Sequence, residues 1–136
     1  MKKYKSNNNA NPNFNLTKVS LIGHNKVKNR AVKFFTELNG KSPAKEWLNT
    51  ITDKLTSGII FRRISAASTG QFGDHKSVGS GVFELRIHHG SGYRIYYGVY
   101  KDEVILILIA GSKKTQTRDI EKAKAYWIYF KETTND

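Results

Sequence analysis

Apolar and polar positions change period several times along the chain, and each change predicts an element. Val27 to Phe35 is rich in β-branched and aromatic residues and ends at Leu38-Asn39-Gly40, which reads as a first strand and its turn. Ser42-Pro43 reads as a helix start, with Ser42 as N-cap and Pro43 in the first turn. Ala44, Trp47, Leu48 and Ile51 follow at helical spacing. A second helix is expected from about Thr52 to Ser68, with Leu55, Ile59, Ile60, Ile64 and Ala67 inward and Thr69-Gly70 as its stop. Gln71 to Gly81 reads as a glycine-containing loop. Val82 to His88 then alternates, with Phe83, Leu85 and Ile87 on one face and Glu84, Arg86 and His88 on the other. After the turn Gly90-Ser91-Gly92, Tyr93 to Tyr100 alternates again, with Arg94, Tyr96 and Tyr100 sharing a face. Val104 to Ala110 is apolar on both faces, as a central strand would be. A last helix is expected from Thr115 to Phe130, with Ile120, Ala123, Trp127 and Phe130 inward. The order β-α-α-β-β-β-α predicts an α+β fold, a helical hairpin on one face of an antiparallel sheet.

Composition narrows the partners. The 136 residues carry 23 Lys plus Arg against 11 Asp plus Glu, a formal charge of +12, and no cysteine. Disulfide scaffolds, thiol nucleophiles and cysteine-ligated zinc are thereby excluded. The longest wholly apolar run, Val104 to Ala110, is far short of the ~20 residues of a membrane helix, and no secretory signal is visible, so a cytoplasmic protein is expected. Residues 1–30 hold seven bases, eight asparagines and no acid. The expected division is a flexible basic arm over 1–25 and one folded domain over 26–132. Such an arm attracts phosphate weakly and in a salt-sensitive way.

The remaining charge is better placed. Arg86 and His88 should stand beside Arg94 and Tyr96 on the face of the hairpin away from the core, with Lys113 and Lys114 leaving the next strand close by. Singly, each has an ordinary reading: Arg86 paired with Glu84, Tyr96 a rim residue, the lysines a solvated loop. Together they make a site for an anion, phosphate foremost. RNA cleavage without metal needs such groups, since a 2′-hydroxyl loses a proton, the phosphate gains charge and the 5′-oxygen gains a proton. His88 and His89 are adjacent in a strand and point to opposite faces, so one at most can serve, and His88 is preferred. The histidines lack a helical i,i+4 pair and the acids are scattered, so neither a metal site nor a cofactor is expected.

Several ordered motifs resemble the RelE/ParE toxin superfamily, and within it the HigB-like addiction module killer branch. They are Gly81-Val82-Phe83-Glu84-Leu85-Arg86-Ile87, then Gly90-Ser91-Gly92-Tyr93-Arg94-Ile95-Tyr96-Tyr97, then Gly111-Ser112-Lys113-Lys114-Thr115 through Asp119-Ile120. Leu38 to Leu48 and the loop Gly70 to Lys76 fit the same pattern, so the resemblance spans about residues 28–127. It implies the toxin of a type II toxin–antitoxin pair, a RelE-like fold, mRNA and the ribosome as targets, and a helix-turn-helix antitoxin as partner. By position it implies Arg94 as the phosphate-stabilising arginine and Lys114 at the place of a second catalytic arginine. The expected catalytic set is Arg86, His88, Arg94, Tyr96 and Lys114, with Lys76, Lys113 and Arg118 as RNA contacts. The late helical tyrosine of RelE has no counterpart, Ile120 standing near its place. ParE relatives, which keep the fold without the nuclease residues and poison DNA gyrase, supply the alternative.

Overall fold

The computed structural model describes residues 29–134. The basic arm expected over 1–25 and the start of the first expected strand at Val27 lie outside them. In chain order the elements are β1 (Ala31–Phe34), α1 (Pro43–Leu48), α2 (Lys54–Ser68), β2 (His75–Gly79), β3 (Val82–Ile87), β4 (Tyr93–Tyr100), β5 (Val104–Ser112), a 3-10 turn (Lys113–Thr115) and α3 (Gln116–Thr133). The five strands form one sheet in the order β1-β5-β4-β3-β2. The fold is α+β, as expected, with two differences in the sheet. A strand, β2, lies inside the expected loop, and β1 runs parallel to β5 while all other pairs are antiparallel.

Both differences have a physical cause. β2 is an edge strand whose residues are exposed except for a half-buried Val78, so no hydrophobic alternation marks it. It is held by its ladder to β3, His75 opposite Leu85 and Lys76 opposite Glu84. The turn Gly79-Ser80-Gly81 has positive φ at all three residues, which two glycines make inexpensive. The parallel β1–β5 pair follows from the long excursion through α1 and α2 between β1 and the remaining strands.

The two faces of the sheet bury separate cores. On one, Phe34, Leu48, Ile60, Ile64 and Ala67 pack with Leu85, Ile87, Ile95, Tyr97 and Ile107. On the other, Ala123, Trp127 and Phe130 of α3 pack on Val82, Tyr96, Leu106 and Leu108. The second face is therefore not the open polar face the strand alternation suggested. The apolar stripe of α3 needs a partner, and Val82, Gly98, Leu106 and Leu108 supply it beyond the arginines. The register shifts between Tyr96 and Tyr97, leaving Leu108 without an opposite residue, and so Leu108 and Ile109 both face α3. β5 is buried on both faces, as its continuous apolar run predicts.

Local details refine the helices. Ser42 is the N-cap of α1, but its hydroxyl donates to the Phe35 carbonyl at 2.9 Å, tying the helix start to the end of β1. α2 starts two residues later than expected, because Asp53 caps it by accepting from the Thr56 amide. Leu55, expected inward, is 61% exposed in the first turn of that helix.

Contact between α3 and β4 is closest at Gly98, where a β-carbon would stand 2.6 Å from the Trp127 ring. Gly98→Ala should therefore destabilise the domain by about 1–3 kcal/mol through overpacking. Urea denaturation checks this, with a lowered midpoint and an unchanged slope expected.

Candidate functional site

The polar residues of the second face gather at one end of the sheet, where β3 ends, β4 begins, β5 ends and α3 begins. Register sets the rows. Glu84 lies opposite Tyr96, and Arg86 opposite Arg94, which in turn lies opposite Gly111. Two arginines facing each other across a ladder repel, so this row needs a counter-charge. Glu84 supplies it. Its carboxylate is fully buried, accepts from Arg86 Nε at 2.9 Å and from Gln116 Nε2 at 2.7 Å, and lies 3.8 Å from Arg94 Nε. Gln116 is the first residue of α3, so the same carboxylate fixes both guanidinium groups and the start of the helix.

Arg94 is 6% exposed, and its Nε–H has no hydrogen-bond partner among the described residues. Its Nη1 donates to the Tyr93 carbonyl at 3.2 Å and borders Gly92, whose other neighbour is Lys113. Gly92 has φ +92° and lets the backbone come close to both cations. Asp119 is buried in the first turn of α3, receives the Thr115 hydroxyl and sits directly over Gly111, where no β-carbon would fit. A buried guanidinium with one donor lacking a hydrogen-bond partner at a glycine-lined end of a sheet is suited to an oxyanion.

Of the expected residues, the structure brings Arg86 and Arg94 together. It also bears out the ordinary reading of Arg86, since that side chain does pair with Glu84. Lys113 and Lys114 are exposed in the 3-10 turn beside Gly92, and Arg118 is exposed in the first turn of α3. Lys76 stands on the edge strand, across from Glu84. His88 lies just past β3, well exposed, with Nε2 2.5 Å from Asp74 Oδ2. That hydrogen bond, ahead of the charges of His88, Arg86 and Arg63, holds the Asp74 carboxyl below its usual range. His89 turns the other way, its Nε2 3.0 Å from the Thr56 hydroxyl at the start of α2, although both histidines follow the end of β3 rather than lying within the strand as expected.

Tyr96 does not share the accessibility expected of a catalytic group. It is fully buried among α3 residues, and its hydroxyl has no partner among the described residues. Burial, and then the nearby Glu84 and Asp119 carboxylates, push its phenol well above the ordinary tyrosine range. Its reach to solvent is blocked because this face carries a core. The sequence reading missed Asp74, Gln116 and Asp119. Asp74 sits in a stretch read as loop, and the other two were hidden in a helix start whose polar residues look solvated. The one available signal was that α3 begins within a few residues of Lys113 and Lys114.

Comparison with known proteins places the sequence in a family. Residues 46–127, which include α2, the whole β2–β5 sheet and the first two-thirds of α3, match the family of phage-derived Gp49-like proteins (DUF891). The chain is also similar to an uncharacterized protein of Haemophilus influenzae (strain ATCC 51907 / DSM 11121 / KW20 / Rd), 41% identical over 78 residues, covering 57% of this chain and 79% of that protein. The match spans more than half of the sequence and contains Glu84, Arg86, Arg94 and Lys113 with their supporting strands, so the chain belongs to the Gp49-like family, a family of RelE-like toxins.

Proposed function

We propose that the chain is the toxin of a type II toxin–antitoxin pair, of the HigB-like kind, and that it cuts mRNA on the ribosome. The observation that carries this reading is Arg94, a buried guanidinium with an unpartnered donor, opposite Arg86 and beside Lys113. In the reaction the ribose 2′-oxygen loses its proton and attacks the adjacent phosphorus. The bond from phosphorus to the 5′-oxygen breaks, and that oxygen takes up a proton, leaving a 2′,3′-cyclic phosphate and a 5′-hydroxyl. Arg94, Arg86 and Lys114 stabilise the extra charge on the phosphate. His88, exposed and oriented by Asp74, is the proton carrier that the geometry favours over Tyr96. Lys76, Lys113 and Arg118 hold the flanking backbone. The partner is an antitoxin, expected to be a helix-turn-helix protein.

Arg94→Ala should abolish growth arrest and mRNA cleavage together. Primer extension on cellular mRNA after brief induction compares it with the unchanged protein. Arrest that persists in Arg94→Ala with mRNA intact in both would overturn cleavage and point to gyrase, which loss of plasmid supercoiling would register. His88→Ala should slow cleavage by about 10²–10⁴-fold, the usual contribution of a general acid or base, whereas Tyr96→Phe should leave the rate within a few fold.

Glu84→Gln leaves Arg86 and Arg94 opposed without a counter-charge and should cost about 3–5 kcal/mol of stability. Inorganic phosphate should raise the melting temperature of Glu84→Gln more than that of the unchanged protein, because an anion can then serve both guanidinium groups. Equal shifts would argue that no anion enters between them.

A further inference from the structure

A second site lies on the opposite face of the sheet from Glu84, against the edge formed by β2 and β3. A cavity of about 200 Å³ is lined by Arg30, Phe72, His75, Phe83, Tyr97 and Val99. Its volume equals about six water molecules at their liquid density, enough for a planar ring system. The walls are mostly aromatic. Phe72 and Tyr97 lie with centroids 5.8 Å apart and planes 9° from parallel, and Phe83 stacks against Tyr97 at 5.7 Å. The His75 imidazole is tilted against Phe72 at 5.3 Å, and the Arg30 guanidinium lies 5.9 Å from the Phe72 ring centroid.

The walls are fixed before anything binds. Arg63 of α2 donates to the carbonyls of Phe72, Asp74 and Arg86, at 2.9, 3.1 and 2.5 Å, and so clamps the loop that carries Phe72 to the end of β3. His75 Nδ1 is 3.0 Å from the Gly73 carbonyl, which orients its ring. Arg30 is held by Asp102 at 2.6 Å, while its Nε–H has no partner among the described residues. Rings set rigidly around a cavity bind a further ring with little ordering cost.

We infer that this cavity takes a nucleobase of single-stranded RNA. Stacking on Phe72 and His75 supplies a sequence-tolerant contact, and Arg30 offers donors to the acceptor-rich edge of a base. Charge favours RNA over an aromatic side chain of a protein partner. The lining residues include a guanidinium and an imidazole and no carboxylate; Asp102 offsets Arg30 from outside the lining, and Arg63, bonded to the Phe72 carbonyl, keeps a second guanidinium beside the cavity. The edge strand links the two sites, since adjacent residues of β2 serve opposite faces. Lys76 is on the face of Glu84 and Arg86, and His75 is on the face of the cavity. A strand of RNA that crosses this edge meets phosphate-binding groups on one side and the stacked rings on the other. In this respect the inference rests on the proposed reading of the chain as an RNA-cutting toxin.

Nuclear magnetic resonance titration of the isotopically labelled full chain tests it. Guanosine and adenosine 5′-monophosphates should shift the ring signals of Phe72, His75, Phe83 and Tyr97, and ribose 5-phosphate and inorganic phosphate should not. His75→Ala, at an exposed position, and Phe72→Leu should each weaken nucleotide affinity about tenfold, a typical loss for one stacking partner. Thermal unfolding of both variants confirms that they are folded. Silent ring signals, equal shifts with ribose 5-phosphate, or binding of an indole-bearing peptide in place of the nucleotides would overturn the inference. The outcome is separable from that of Arg94→Ala. Ring shifts with nucleotides alongside undiminished arrest in Arg94→Ala would support the base site and remove the cleavage reading. Loss of arrest and cleavage with silent rings would do the reverse.

Discussion

A single buried carboxylate sets the terms for this end of the molecule. Two guanidinium groups stand opposite each other on adjacent strands, and without Glu84 the hairpin would hold like charges face to face in a partly desolvated place. With it, both arginines are fixed and Gln116 is drawn in from α3. Sheet pairing, helix docking and the electrostatics of the candidate site therefore share one anchor. The same interaction leaves Arg94 incompletely satisfied, which is the property a site for a transient anion requires. A fully paired arginine would be inert, and an unpaired one would be costly to bury.

Much of this was legible in the sequence because strands advertise themselves through period two. Phe83, Leu85 and Ile87 against Glu84 and Arg86 gave the faces of β3 directly, and the turn at Gly90 to Gly92 placed Arg94 beside Arg86. The continuous run of β5 announced burial on both sides. What stayed hidden is what period cannot express. β2 has almost no buried residue, so its strand conformation comes from pairing alone. The covering of the second face by α3 depends on a tertiary choice, and that choice turned Tyr96 from a candidate proton carrier into a core residue.

The site divides in the same way. Charge type and spacing pointed to Arg86, Arg94 and the Lys113-Lys114 pair, but not to the groups that orient them. Asp74, Gln116 and Asp119 are ordinary polar residues until the fold brings Asp74 to His88, Gln116 to Glu84 and Asp119 over Gly111. Orienting groups are chosen by three-dimensional proximity, which single-sequence spacing encodes only within an element.

The parallel pairing of β1 with β5 bears on how the protein is made. Residues 31–34 of the first strand wait for residues 104–107 of the last, so this edge cannot close until more than a hundred residues have been synthesised. Arg86 of β3, Arg94 of β4 and the lysines after β5 likewise come together only at that late stage, because β4 lies between β5 and β3. Long-range closure of this kind is slow compared with local helix formation. On the proposed reading, in which the completed form acts against translation, a ribosome would finish most of the polypeptide before the harmful arrangement existed.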